Sequence, residues 1–335
     1  MIFHLLGEIL IAGGEETLRE WTPEKPRSLL SPEFMRSAYI LQVQITSNQI
    51  CKVRYFEIDE MPEENIRAFY QNCQGRIIIG SGRNDNVGYV RSVFELDSIG
   101  WKSLAPLNIP RVDAASTYIN NTLIVSGGVD KYADLLSSLE ILEISSDTQS
   151  TQWEICQTFL PNEICGHTLT GFKGEIYLIG GLSSGCDEDD YSGKHVWKGM
   201  LMPKKGPLQP KYFNRFPFSK QSISFKRIAS MQQNRDMHFS IVVNDQIHVF
   251  GGESEGKNSF VEIFDGETWS IGPDFPLLLS HDNANAVLTR QNVIIITTID
   301  NGIGIYDPIQ GTVNFYEHFK VKDGRSKYAA MLIDT

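Results

Sequence analysis

The feature that constrains this chain most is a short apolar run closed by two small residues, which returns along the whole length. It appears at residues 8–14 (EILIAGG), 76–82 (RIIIGSG), 122–128 (TLIVSGG), 175–181 (EIYLIGG) and 246–252 (QIHVFGG). A sixth copy at 292–298 (NVIIITT) keeps the run and carries threonines where the others have the doublet. The ends of successive copies lie 68, 46, 53, 71 and 46 residues apart, and passing from the last copy through the C-terminus to the first adds 51. A unit of this size cannot bury an apolar face by itself, so such units must stack on one another, and six comparable steps suit a closed ring.

Each run is four or five residues rich in Ile and Val and bounded by turn residues, which favours a buried strand over a helix. A second strand precedes several of the runs, at 114–119, 167–172 and 238–243, and the joining pairs are Asn120-Asn121, Lys173-Gly174 and Asn244-Asp245. Those residue types tolerate positive φ, so each pair reads as a tight β-hairpin turn. A third strand follows each run and a fourth begins near a tryptophan: 93–96 then Trp101, 139–144 then Trp153, 261–264 then Trp269. The expected fold is therefore all-β: one six-bladed propeller over residues 1–335, with four-stranded antiparallel blades. The two long steps place extra chain in loop insertions at 15–36 and 182–221. Residues 327–333 (KYAAMLI) read as a first strand whose partner is the run at 8–14, so the two ends are expected to clasp in one blade, leaving no open sheet edge. The path from Arg325 around the circle to Gly14 is longer than the matching path in other units, and residues 1–5 remain a competing first strand.

These features together resemble the kelch-repeat family. The resemblance rests on the glycine doublet after an apolar strand and the aromatic-acidic steps Phe264-Asp265 and Tyr306-Asp307. It rests also on the tryptophan that follows, and on links ending in arginine, LAPLNIPR at 104–111 and IASMQQNR at 228–235. It implies a propeller whose glycines and tryptophans are structural, and a protein or peptide ligand bound at one face. The alternative of another class is an enzyme, because kelch-type propellers include enzymes acting on sugars or sugar acids, such as mutarotases; the interaction module is the favoured reading.

Thirty Lys and Arg against 41 Asp and Glu give a formal charge of −11, which opposes a general binder of nucleic acid or anionic membrane. No apolar stretch reaches the roughly 18 residues of a membrane span. Five cysteines without C-x-x-C spacing read as reduced thiols of a cytoplasmic protein. No phosphate loop, zinc helix or nucleophile elbow is present. The seven histidines lack ligand spacing, and the acidic run at 187–190 lacks the pattern of a calcium loop. No catalytic, cofactor-binding or metal-binding residue is assigned, and no cofactor is expected.

The remaining candidates recur with the repeat. Arg67, Arg111, Arg235 and Arg325 stand just before first strands, and His281 occupies a matching phase: Arg111, Arg235 and His281 lie equally far ahead of the last residues of their copies, Gly128, Gly252 and Thr298. Equivalent positions in a ring share one face, where arginines would suit a carboxylate or phosphate of a partner. The competing reading is that these arginines bond loop carbonyls and hold the ring together. The expectation is a non-catalytic adaptor or scaffold that recognises a protein or peptide surface, possibly acidic, without nucleic acid or membrane.

Overall fold

The computed structural model describes residues 4–12, 15–16, 36–46, 49–84, 86–97, 99–144, 152–183, 193–203, 217, 219, 221–252, 260–275, 279–280, 284–298, 302–317, 325–326 and 329–333. Among these the main strands form six four-stranded antiparallel sheets and no helix. Blades 2 to 6 each take their strands in chain order. Blade 2 runs Phe69–Cys73, Arg76–Gly80, Val93–Asp97 and Gly100–Leu104 from the inside outward. Blade 3 runs Ala115–Ile119, Thr122–Ser126, Leu139–Glu143 and Glu154–Ile155. Blade 4 has Thr168–Phe172, Glu175–Ile179, Val196–Pro203 and Gln221–Arg227, and blade 5 has Phe239–Val243, Gln246–Phe250, Phe260–Phe264 and Trp269–Asp274. Blade 6 is built from Ala284–Leu288, Ile294–Thr298, Ile303–Asp307 and Thr312–Tyr316.

Blade 1 joins the two ends of the chain. Its innermost strand is Ala329–Ile333, which pairs antiparallel with His4–Ala12 in a register running from Glu8 opposite Ile333 to Ala12 opposite Ala329; Ala38–Thr46 and Gln49–Ile58 complete it. The six innermost strands neighbour one another in a closed cycle, the C-terminal strand lying between those of blades 6 and 2. The clasp is thus real. Residues 4 and 5 belong to the second strand of this blade, so they do not supply its first.

The hairpin turns read from sequence have the required backbone. Asn120 and Asn121 have φ of 49° and 59°, Lys173 and Gly174 of 51° and 77°, Asn244 and Asp245 of 51° and 61°. Blade 6 differs, because residues 289–293 replace the two-residue turn and its second strand continues through Thr298, which pairs with Ala284 as Ser126 pairs with Ala115. Thr297 and Thr298 are strand residues, and the place of a glycine doublet falls after them, outside the described residues.

The core lies between blades. Along the second strand of blade 1, Ile9 and Ile11 pack with Val287, Ile295 and Ile305 of blade 6, whereas Leu10 and Ala12 pack with Ile77 and Ile79 of blade 2. A central strand covered on both faces has to be apolar at consecutive positions, which is why these runs lack polar alternation. The doublet completes the contact. The N–H of Gly82, Gly128, Gly181 and Gly252 donates to the carbonyl of Arg111, Ile164, Arg235 and Leu279 respectively, each in the link entering the next blade. A Cβ at Gly127, Gly180 or Gly251 would stand 2.5 Å from one of these same link carbonyls, and all three residues have φ of 59–70°. Tryptophan fixes the other side of the link. Trp101, Trp153 and Trp269, beside or at the start of outermost strands, donate Nε1–H to the carbonyls of Asp59, Ala105 and Ala229, at 2.9, 3.0 and 2.9 Å.

Most of the expected insertions, residues 17–35, 184–192 and 204–216, lies outside the described residues. The chain returning from the last of these to blade 4 does not project. Ile155 N–H donates to Pro217 O at 2.8 Å and Ser219 N–H to Ile155 O at 2.9 Å, so this segment lies along the two-residue outer strand of blade 3 as a fifth strand would.

Candidate functional site

The links and the loops between second and third strands emerge at one end of the ring, since the first residue of each innermost strand pairs with the last of the second strand. At this end the link residues just ahead of the innermost strands circle the channel. Arg67, Asp113, Gly166 and Met237 are equivalent, with φ of 52°, 56°, 61° and 49°. Their backbones are joined from blade to blade: Asp113 N–H donates to Arg67 O at 3.3 Å, Gly166 N–H to Asp113 O at 3.1 Å, and Met237 N–H to Gly166 O at 2.7 Å. Non-glycine residues reach this conformation at a cost of about 1–2 kcal/mol, which the inter-blade bonds offset.

Inside this rim lies a cavity of about 360 Å³, lined by the innermost strands of blades 2 to 6. Its walls are rich in hydroxyl and amide groups. Tyr70 Oη donates to Asn285 Oδ1 at 3.0 Å, Ser116 Oγ to Tyr70 O at 3.0 Å, and the hydroxyls of Thr170 and Ser240 share a bond of 2.5 Å. Burial raises the Tyr70 phenol to about 12, against the lowering effect of Asn285, so it stays a neutral donor. His167 also lines the cavity; its Nε2 meets Ser126 Oγ at 2.8 Å and its Nδ1 has no hydrogen-bond partner among the described residues. Burial, with the nearby Arg111 charge, pushes its imidazole down to about 3, so it is neutral. At the rim Arg67 Nη1 and Asp113 Oδ2 form an ion pair of 2.6 Å, three-quarters buried on the arginine side.

The five residues singled out from sequence do not form one ring. Arg111 and Arg235 are equivalent to each other, both fully buried. Arg111 donates to Gly127 O, Ser138 O, Ser138 Oγ and Glu140 Oε1; Arg235 donates to Gly251 O, Phe260 O, Gln233 Oε1 and Glu262 Oε1. The carboxylates are held in turn by link backbone, Glu140 by the N–H groups of Asn108 and Ile109, Glu262 by those of Gln232 and Gln233. Each arginine therefore ties a link to the blade it enters and offers no charge to solvent, which supports the second of the two readings.

Arg67 stands two residues further along; the place of Arg111 in blade 2 is taken by Asn65, which is buried with neither side-chain polar atom bonded among the described residues. Among the candidates whose side chains are described, Arg67 is the one that lines the channel. Arg325 does share the phase of Arg111, four residues ahead of its innermost strand, and its backbone pairs with Glu16. His281 lies outside the described residues, and its matching count arises from the longer turn of blade 6. The cavity wall was not singled out from sequence. Its signal is a hydroxyl or amide inside an innermost strand, at Tyr70, Ser116, Thr170, Ser240 and Asn285, three of which, Tyr70, Ser116 and Ser240, pair with Ile79, Val125 and Val249 of the second strand.

Among the described residues no cluster of His, Cys, Asp and Glu could hold a metal ion, and no helix is long and apolar enough to cross a membrane. Cys73, Cys156 and Cys165 are buried free thiols, and burial raises Cys73 and Cys165 to about 12. No protein-family profile matches the sequence. It is similar to an F-box/kelch-repeat protein of Arabidopsis thaliana, 24% identical over 196 residues, covering 54% of this chain and 39% of that one. It is similar also to alpha-scruin of Limulus polyphemus, 30% identical over 97 residues, covering 29% of this chain and 10% of the relative. The chain thus matches well under half the length of either relative.

Proposed function

Because the chain is a kelch-repeat β-propeller, we propose that it works as a non-catalytic interaction module, an adaptor or scaffold, that holds a protein or peptide on the face where the channel rim opens. The observation that carries this reading is the set of apolar side chains standing on that face. Val87 is 69% exposed, Tyr132 71% and Leu182 41%, each on the loop between the second and third strands of blades 2, 3 and 4. Apolar side chains held in water on adjacent loops cost solvation that a partner would recover, and loops on a rigid ring are where binding residues collect. The reduced, buried thiols fit work in the cytoplasm. Arg67 lies at the rim on the same face, paired there with Asp113.

Affinity capture from the source cells tests the proposal with two variants. Replacement of Val87, Tyr132 and Leu182 by serine should remove a partner that replacement of Ile99 and Ile309, exposed at the opposite end, leaves bound. Equal recovery with both variants would refute the assignment of the face.

A further inference from the structure

We infer that the channel cavity is a binding site for a small uncharged molecule bearing several hydroxyl or amide groups, of about monosaccharide size. This goes beyond the partner-binding reading, which concerns the outer face and stands or falls separately. The cavity volume, about 360 Å³, lies at the lower end of the roughly 300–1,000 Å³ typical of small-molecule sites.

Three properties of the wall set the class of ligand. Charge comes first. Among the described lining residues only Arg67 and Asp113 are ionised, and at 2.6 Å they cancel each other at the rim; His167 is neutral because burial disfavours its cation. Among the described residues an anion or a cation entering the cavity would lose hydration without finding a counter-charge, whereas a neutral molecule would not. The second property is hydrogen-bond capacity. A hydroxyl engaged in one bond still has capacity for another, so Tyr70, Ser116, Thr170 and Ser240 can each meet a ligand group without breaking the bonds that orient them. His167 lines the same space with its Nε2 engaged by Ser126 Oγ and its Nδ1 unbonded among the described residues. The third is shape. Phe69, Met237 and Ile241 line the same space, giving apolar surface for the C–H faces that a ring of hydroxyls leaves between its polar edges. The described wall, polar on both senses of the hydrogen bond and without net charge, fits a compact polyol or amide better than a carboxylate, a phosphate or an amine.

Calorimetric titration of the intact chain with D-glucose, myo-inositol and N-acetylglucosamine, and with glucuronate and glucosamine as anionic and cationic counterparts, tests the inference. At least one neutral probe should bind saturably in the millimolar range, with both charged probes at least tenfold weaker. Ser240→Leu, which fills the cavity, should abolish that binding, and Tyr70→Phe should weaken it several-fold. Circular dichroism melting of each variant separates lost binding from lost folding, and Ser116→Val supplies a second cavity variant if Ser240→Leu unfolds. No saturable heat with any neutral probe up to 50 mM, about ten times the expected range, would overturn the proposal. So would tighter binding of a charged probe, or binding that survives in a folded cavity-filled variant.

Discussion

Arg111 and Arg67 look alike in the sequence and differ in everything that decides energy. Arg111 is fully buried against Glu140, and removing one partner of such a pair strands the other charge, at a cost of about 3–5 kcal/mol. Burial alone would discourage the guanidinium charge, and the Glu140 carboxylate acts against that. Arg111→Ala should therefore lower the urea midpoint sharply, while Arg67→Ala, whose ion pair is partly solvated, should cost about 1 kcal/mol or less. If both variants unfold at the same denaturant concentration, the clamp described for Arg111 is wrong. The phase of the arginines was legible in the sequence; their role was not, because the partner glutamates lie 29 and 27 residues downstream on another strand. Aligning the blades residue by residue exposes the signal. The place of Arg111 and Glu140 is held in blade 2 by Asn65 and Phe94, and in blade 4 by Ile164 and Trp197, which share an apolar cluster. In these blades the arginine and the glutamate are lost together, as expected of a pair that is costly to break.

At the scale of single strands and turns the sequence was more readable, because the determinants are local. Period, turn pairs and the doublet each act within a few residues, so the second strands, hairpins and third strands fall where their residues imply. Blade 6 is the exception: its turn is three residues longer, and a count along the chain cannot tell a longer turn from a shifted strand. The segment at 217–219 was equally hidden, since nothing in PFS marks it as partner to the outer strand of the preceding blade. Ser219→Pro removes the donor to Ile155 O and should destabilise the edge of blade 3 by about 1–3 kcal/mol. Hydrogen exchange gives the finer reading. The Ile155 amide should lose protection in this variant while amides of the second strand, Thr122–Ser126, keep theirs; unchanged exchange at Ile155 would show that the added strand does not support the edge.

For the whole molecule, two properties follow from burial and closure. His167 and His248 are buried as neutral rings, lowered by burial to about 3 and about 4. Their folded values lie below the unfolded value near 6.5, so the unfolded chain takes up protons that the folded chain refuses. Stability from these groups is constant above about pH 6.5 and falls below it, by at most about 1.4 kcal/mol per pH unit for each ring until its folded value is reached. Urea midpoints measured from pH 7 to 4.5 should decline, and His248→Gln should flatten the decline; a flat wild-type profile would exclude the mechanism. Closure makes the second property. Deleting residues 325–335 removes the innermost strand of blade 1 and should unfold the ring as a unit, whereas a variant melting like the parent would show that the clasp is dispensable. The same clasp bears on how the protein is made. During synthesis the strand His4–Ala12 emerges before the other blades, yet its inner neighbour, Ala329–Ile333, emerges only after all of them. At about 5–20 residues per second, Ile9 to Ile11 wait tens of seconds with one backbone edge unpaired. A growing arc of finished blades thus carries an adhesive end throughout translation, and ribosome-bound chains should recruit chaperones until the final strand docks.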